Sequence, residues 1–521
     1  MADLLATVSL GNKSAAVGGA AAEIGDHNDG AVLGLTRAEM EDLKEQAISW
    51  AAAHGMLVRW KAAAPNAASL ATFTHIPFCL LPVPLPKAQF EHGVALSPVY
   101  GRLMDRVSRD LEWLHGTLES VVHEDKFTAR LLDLSKRIEA DGIQQKAYLG
   151  IHRSDYMLHE PQNGISGDTQ RLLQVELNAI SSSFGCISSL TSQLHQYLVS
   201  RLATQLPALE AHYNVPMAEL AKRLPSNDGI FELPNALAVA HKHYGVPGSI
   251  VVFVVQPNEA NSIDQRWIEY NLWNHHGVRV IRKTMAEVQA EGKLEERDGK
   301  RVLMIEGHEV AVAYYRSAYT PNDYPTEQEW QGRELIERSY AIKCPSIAYH
   351  LAGTKKVQQA LADPVALRRF VSESEATLLE SSFAGLWGLE KDAAATAQVK
   401  QMALENPRAY VLKPQREGGG NNLYGDEVAA AMQRMKPEEL ESYILMQRIF
   451  PNENPAILVR NGLTVSGNTL SELGMFITCL FDDGKEILNK HAGHLLRTKL
   501  SGTDEGGVAT GFSVVSSPLL V

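Results

Sequence analysis

One stretch, KPQREGGGNNLYG (Lys413–Gly425), gathers a lysine, an arginine, an acid, three consecutive glycines and two asparagines. Three glycines in a row remove every Cβ and make the backbone costly to order. Bare N–H groups in such a loop can form an anion-binding nest, and Lys413 and Arg416 add charge to it. Glu417 beside them could hold a metal that bridges phosphates. There is no Gly-Lys-Ser/Thr, and the glycine spacing is not G-x-G-x-x-G, so neither a P-loop nor a dinucleotide fingerprint is present. A surface turn is the plainer alternative, but a surface turn rarely needs this set of residues together.

A second cluster is LLQVELNAISSSFG (Leu172–Gly185). Gln174, Glu176 and Asn178 alternate with Val175 and Leu177, so strand periodicity predicts all three polar side chains on one face. An acid and an amide two residues apart offer hard oxygen ligands of the kind Mg²⁺ takes. Ser181, Ser182 and Ser183 follow as hydroxyl donors. A half-exposed strand with a polar outer face is the competing reading. Further candidates are Arg153 in HRSDYM, the alternating cations Arg497 and Lys499 in HAGHLLRTK, and the small-residue loop EGGVATG (Glu505–Gly511). His491 and His494 lack a third ligand and read as structural, as do His241/His243 and His275/His276.

These side chains need a scaffold. The chain has 521 residues, 45% hydrophobic and 21% charged, enough for two to four domains around a large core. A net charge of −12 argues against general nucleic-acid binding. Cys79, Cys186, Cys344 and Cys479 are far apart and form no C-x-x-C, which reads as a reduced intracellular protein. Apolar runs are too short to span a bilayer. The Ala/Gly-rich first thirty residues carry acids and no arginine. That favours a cytoplasmic protein with a disordered tail over 1–35, a plastid transit peptide being the weaker reading.

Folded structure is expected to begin at the capping box TRAE (Thr36–Glu39), flanked by Leu35 and Met40 and running to about His54, with Gly55 as the stop. Leu103, Val107, Leu111, Leu114 and Leu118 form one stripe of a second long helix. THIPFCLLPVPLP (Thr74–Pro86) reads as an extended connection. GSIVVFVVQ (Gly248–Gln256) has the β-branched run of a strand buried on both faces. The helical segment Asp264–His276 and the strand VRVIRKT complete a βαβ unit, hence a parallel sheet. RVLMIEGHEVAVAYYR (Arg301–Arg316) reads as two strands around a turn. From Gly385 to Pro451 the expected order is helix, strand AYVLKPQ, glycine loop, helix near Asp426–Met435, and strand SYILMQRIF.

LAGTKKVQQ, KPQREGGGNNLYG, RSDYM, SELG and GHLLRTK…GGVA, all lying between Thr36 and the C-terminus, resemble the eukaryotic glutathione synthetases, a branch of the ATP-grasp ligases. The resemblance implies a mixed α/β (α+β) ATP-grasp fold with a parallel-sheet substrate-binding region and a glycine-loop lid. It divides the chain into a helical and catalytic body (36–240), a substrate-binding domain (241–355), the lid (385–467) and a C-terminal return to the body (468–521). It implies ligation of γ-glutamylcysteine with glycine through an acylphosphate, using ATP and Mg²⁺, in a homodimer. Metal ligands would be Glu176, Asn178 and Glu417. ATP would meet Glu176, Lys355, Lys413, Gln415, the loop Glu417, Gly418, Gly419, Gly420, Asn421 and Asn422, then Tyr424, Met446, Gln447, Arg448, Ile449, Glu472, Lys499 and Glu505. The dipeptide and acceptor would meet Arg153, Ser181, Ser182, Ser183, Glu259, Ala260, Asn261, Gln265, Arg316, Ser317, Tyr319, Arg497, Val508 and Ala509. Arg153, Arg497 and Gly418 would act in the chemistry itself. The sequence departs from the family at Gln447-Arg448, Ala260 and Thr510. A ligase using β-alanine or serine, or a non-catalytic binder of glutathione-like ligands, are the rival readings.

Overall fold

Thr36 starts the first helix. Its Oγ1 accepts from Glu39 N at 3.3 Å, and Glu39 Oε2 accepts from Thr36 N at 2.7 Å. The helix Arg37–Ala53 therefore begins on satisfied donors, and it stops at His54 with Gly55 at φ +68°. Leu35 is buried and Met40 packs against the same core. The computed structural model describes residues 33–59, 72–161, 169–202, 207–390, 394–414, 422–502, 508 and 513–521.

The apolar stripe from Leu103 to Leu118 is divided between two helices, Lys87–Arg109 and Leu111–Leu118. Asp110 makes the break. It leaves helical geometry (φ −89°, ψ 72°), and its carboxylate accepts from Trp113 N at 3.1 Å. A short acid that can cap a new helix competes with continuing the old one. The proline-rich segment after Thr74 is extended as its sequence suggests, and Phe78–Cys79 and Val83–Leu85 within it pair into sheets.

The largest sheet has seven strands, in the order Asn454–Arg460, Phe78–Cys79, Val514–Ser516, Lys485–Leu500, Leu463–Asp482, Ala147–His159 and Arg171–Asn178. It separates two cores. Leu473, Met475, Ile477 and Cys479 turn toward the core that holds Leu96, Val99, Tyr100 and Leu103 of the helix Lys87–Arg109. Phe476 and Leu480 turn the other way, toward Ile187, Leu190 and Leu194 of Gly185–Leu202 and Leu233 and Leu237 of Gly229–Tyr244. This is the period-2 alternation of a sheet covered on both faces.

A second sheet carries the βαβ unit. Val280–Lys283, Ile250–Val254, His308–Tyr315 and Ile342–Cys344 run parallel, and Lys300–Ile305 and Lys293–Arg297 extend it antiparallel. All five residues of Ile250–Val254 are buried. The connecting helix Ser262–His276 ends at Gly277, φ +66°. A third, antiparallel sheet orders Leu386–Gly388, Tyr443–Gln447, Tyr410–Pro414 and Leu423–Tyr424. With helices Ala394–Glu405 and Asp426–Arg434 it encloses its own small core around Val399, Leu412, Val428 and Leu445. Among the described residues no helix is long and apolar enough to cross a membrane, and the four cysteines are free and buried.

Candidate active site

At one end of the seven-stranded sheet the inward face becomes polar. The register sets Arg153 opposite Asn178, Asp155 opposite both Glu176 and Gly474, and Glu472 opposite Arg497. Four neighbouring strands thus project one cluster. Arg153 Nε donates to Asp155 Oδ1 at 2.6 Å and its Nη2 to Oδ2 at 2.8 Å. Arg497 Nη2 donates to Asp155 Oδ2 at 3.0 Å and also to Glu472. Asn178 Nδ2 donates to the same Oδ2 at 2.9 Å. The Arg153 guanidinium lies 5.9 Å from the centre of the Phe476 ring. Gly474 makes the arrangement feasible: a Cβ there would sit 2.7 Å from both Arg153 Cδ and Asp155 Oδ1. Its backbone does not need glycine, but its neighbours leave no room for a side chain. Sequence reasoning selected Arg153, Glu176, Asn178, Glu472 and Arg497 and passed over Asp155, although the Arg-x-Asp spacing places it on the same face as Arg153.

The expected face of Gln174 is corrected. Pairing skips Val175, with Glu176 opposite Asp155 and Gln174 opposite Tyr156. This bulge turns Gln174 to the far side, where its amide donates to Ser154 Oγ at 2.8 Å. One extra residue breaks the alternation that the sequence pattern assumed. The bulge also frees the Val175 carbonyl, which accepts from Lys413 Nζ at 3.0 Å. Lys413, at the end of Tyr410–Pro414, is thereby joined to the metal-type pair Glu176/Asn178. Lys355, the first residue of the helix Lys355–Leu361, approaches Glu176 to 3.7 Å.

Four basic groups (Arg153, Arg497, Lys355, Lys413) therefore face three carboxylates (Asp155, Glu176, Glu472). Burial presses the Glu176 carboxyl toward protonation, but Lys355, Lys413, Arg497 and Arg153 outweigh it and hold its pKa down at about 2. Burial moves Glu472 the other way, above the ordinary carboxylate value; Arg497 opposes the shift, and Asp155 and Glu176 add to it. Glu176 keeps 27% of its side-chain surface exposed, so an ionised oxygen is open to an incoming cation. Asn178 turns its nitrogen toward acceptors, which leaves its oxygen free. Both are hard oxygen donors that fit Mg²⁺.

The second grouping lies at the carboxyl ends of the parallel strands, where open α/β sheets bind ligands. Arg316 follows His308–Tyr315 and is buried; its Nη1 donates to Ser182 O at 2.6 Å, and Asp264 lies 3.7 Å away. Asp264 also accepts from the N–H groups of Phe184, Cys186 and Ile187, which fixes the serine loop at the start of Gly185–Leu202. Glu259 accepts from Asn261 N at 2.7 Å and from Gln265 Nε2 at 3.2 Å. Tyr319 Oη accepts from Gln256 at 3.3 Å. The grouping meets the first cluster where Arg153 Nη1 donates to Ser183 O at 3.3 Å. Three buried atoms here make no hydrogen bond: Asn261 Oδ1, Arg316 Nε and Arg282 Nη1, the last with Glu269 Oε2 at 3.7 Å. Arg282 was not singled out from the sequence; its place at the end of Val280–Lys283 was the available signal. Its Nη2 donates to Gln265 Oε1 at 2.6 Å. The hydroxyls of Ser181, Ser182 and Ser317 bond back to nearby carbonyls, and Ala260 O accepts from Arg59 N.

In the third sheet, Met446 and Gln447 end the strand Tyr443–Gln447, and Ile449 packs with Leu173, Ala384, Leu386 and Met446. Gln447 and Arg448 give their N–H groups to the carbonyls of Gly385 and Ala409, and Gln447 Oε1 accepts from Gly385 N. The Arg448 guanidinium lies 5.8 Å from the Tyr424 ring centre, and Asn422 Nδ2 donates to Tyr424 Oη. Lys499 sits opposite Leu470 in the long hairpin, and Val508 is buried. Gln415, Arg416, Glu417, Gly418, Gly419, Gly420, Asn421, Glu505, Ala509 and Thr510 lie outside the described residues. Burial drives the pKa values of His491 and His494 down to about 4 and about 3. Neither belongs to a metal-type cluster of three His, Cys, Asp or Glu among the described residues.

Residues 37–520 match the family model described as eukaryotic glutathione synthase, ATP binding domain. The chain is 42% identical over 489 residues to the glutathione synthetase of Dictyostelium discoideum, covering 92% of this chain and 99% of that one. It is 41% identical over 492 residues to the chloroplastic glutathione synthetase of Solanum lycopersicum, covering 92% and 84%. It is 38% identical over 484 residues to the glutathione synthetase of Homo sapiens, covering 92% and 97%. Its backbone resembles the apoform of a glutathione synthetase-like effector from Globodera pallida, with a TM-score of 0.73, 22% identity and coverage of 94% and 100%.

Proposed function

The chain belongs to the eukaryotic glutathione synthase family, and from that premise we propose how its residues divide the work of the ligation. The reaction joins γ-glutamylcysteine to glycine and converts ATP to ADP and phosphate. A carboxylate resists attack by an amine. The cysteinyl carboxylate oxygen therefore first attacks the γ-phosphorus, and the bond to ADP breaks. Glycine's amine then attacks the acyl carbon, loses a proton, and phosphate leaves.

The observation that carries the residue assignment is the set of buried atoms around Arg316 that make no hydrogen bond. Leaving a buried donor or acceptor unpaired costs about 1–3 kcal/mol each. Two guanidinium donors and one amide oxygen are what a carboxylate and an ammonium together would satisfy, and the γ-glutamyl end of the dipeptide carries both. Arg316, Asn261, Glu259, Gln265 and Tyr319 then hold that end, with the 181–183 loop and Ser317 shaping the pocket. Arg153 and Arg497 face the reacting carboxylate and counter the charge that grows there. Lys355 and Lys413 take the phosphates, and by resemblance the glycine loop, outside the described residues, would cover them. Met446–Ile449, Tyr424 and Lys499 bound the nucleotide. Bound Mg²⁺ would neutralise phosphate charge, held by Glu176 and Asn178, with Glu417 as the third ligand by resemblance.

The chain division we propose is body 36–240, substrate domain 241–355, lid 385–467 and return 468–521, although within the lid range Asn454–Arg460 and the start of Leu463–Asp482 pair in the seven-stranded sheet. Four free, buried thiols suit a reducing compartment, and the cytoplasm is the placement we propose. A homodimer is supported by the exposed Phe231 (51%), Tyr270 (51%) and Trp273 (62%) on adjoining helices; sedimentation tests it. The central assay is ADP release with γ-glutamylcysteine and glycine, serine or β-alanine, in wild type and Thr510→Ala. Glycine should give the highest kcat/KM in both, and the ratios should change only several-fold, because one hydroxyl discriminates weakly. A preference for serine or β-alanine would overturn the acceptor, and absence of ADP release with every acceptor would overturn the ligase assignment.

A further inference from the structure

We propose that Asp155 is the positioning residue of this site: one buried carboxylate sets both the amide that faces the metal and the two arginines that face the dipeptide. The inference rests on the functional reading above. Asp155 is fully buried on Ala147–His159, the strand beside the edge strand Arg171–Asn178, and all its side-chain bonds go to polar groups of the site rather than to the apolar core. Its Oδ1 accepts from Arg153 Nε, and its Oδ2 accepts from Arg153 Nη2, Asn178 Nδ2 and Arg497 Nη2.

The consequence for Asn178 follows from donor and acceptor chemistry. An asparagine ligates a cation only through its oxygen, and the side chain can present either end. Here Nδ2 faces Asp155 Oδ2 and, at 3.4 Å, Arg153 O. Both partners are acceptors only, so the nitrogen must point at them and the oxygen must point away. Asp155 thus selects the ligating face of Asn178, as an outer carboxylate orients a ligating side chain elsewhere. For the arginines the same carboxylate does two things. It locks Arg153 in a planar two-bond pair, and it draws Arg497 to the same oxygen, so two like-charged guanidinium groups remain side by side.

Two variants separate these roles. Asp155→Asn keeps the shape but replaces one acceptor oxygen with a donor and removes the charge. Titration of Mn²⁺ followed by electron paramagnetic resonance, with a non-hydrolysable ATP analogue present, should give about 10–100-fold weaker metal binding. Calorimetry with γ-glutamylcysteine, without metal, should give binding at least about tenfold weaker, since the arginines lose their shared anion. The swap Asp155→Asn/Asn178→Asp conserves the total charge and reverses one hydrogen bond, so it serves even where the single variant fails to fold. A carboxylate in place of the Asn178 amide offers oxygen at either end, so Mn²⁺ binding should recover, while dipeptide binding stays weak. A residue that merely holds the sheet together would lose both or neither. Wild-type binding of both ligands by Asp155→Asn, or a swap that binds Mn²⁺ as poorly as the single variant, overturns the inference. A wild-type protein that does not ligate γ-glutamylcysteine instead overturns the functional reading and is seen before any variant is made.

Discussion

Adding a single methyl group at Gly474 tests the packing that holds Arg153. The Cβ of Gly474→Ala would lie 2.7 Å from Arg153 Cδ, 2.7 Å from Asp155 Oδ1 and 3.0 Å from Arg153 Nε. Ordinary contact begins near 3.4 Å, so these groups must retreat by at least the difference, 0.7 Å. That movement lengthens bonds that now measure 2.6 and 2.8 Å and tilts the guanidinium out of plane with its carboxylate. A misplacement near 1 Å can cost about a hundredfold in rate. The expected loss in kcat/KM for γ-glutamylcysteine is therefore about 10–100-fold, or roughly 1.4–2.8 kcal/mol of transition-state stabilisation. Overpacking should lower stability by about 1–3 kcal/mol. Steady-state ADP release and thermal unfolding measure the two effects. Gly116→Ala is the control. It lies in the helix Leu111–Leu118, and its Cβ would meet nothing within 4 Å. That variant should gain about 0.5–1 kcal/mol of stability with unchanged kinetics. Unaltered dipeptide kinetics in Gly474→Ala would refute the claim that this glycine makes room for the arginine.

Glu176→Gln should reduce Mg²⁺-dependent turnover at least about a hundredfold, the scale of losing one strong electrostatic contact. The Glu176 pKa is depressed from 4.5 to about 2, so its charge stabilises the fold fully above pH 4.5, and the contribution disappears as the pH falls toward 2. The Tm gap between wild type and Glu176→Gln should narrow over that window; a gap that widens in acid contradicts the assignment. Lys413→Met keeps the aliphatic stem but removes the donor to Val175 O, and should raise KM for ATP about tenfold or more. An unchanged KM for ATP would remove Lys413 from the nucleotide site.

Much of this structure is legible in the sequence because local rules act alone there. The capping box at Thr36 and the buried run Ile250–Val254 need no distant partner to be recognised. The misreadings arise where a local feature competes with a pattern. Asp110 can continue a helix or cap a new one, and the apolar stripe is the same in both cases. Gln174 obeys alternation until a bulge at Val175, which only the pairing with Ala147–His159 creates, turns it over. Asp155 is a harder case. Its role comes from Arg497, 342 positions away in the chain, and from a glycine two strand positions beyond Glu472. No periodicity encodes such a meeting. The long motifs carry it only as a resemblance.

The position of Val514–Ser516 bears on how the protein is made. This strand lies inside the seven-stranded sheet, between Phe78–Cys79 and Lys485–Leu500, yet the ribosome delivers it after every other strand of that sheet. Nascent chains fold from their N-terminal side at about 5–20 residues per second. Until residue 516 emerges, Asn454–Arg460 can join the Phe78 segment to the hairpin on one side, but the facing edges of Phe78–Cys79 and Lys485–Leu500 stay open, the kind of surface that recruits foreign strands. A message cut short before the codon for Val514 would thus yield a chain with nearly every site residue and a sheet left open where they are mounted. Quality control would have most of a finished enzyme to discard.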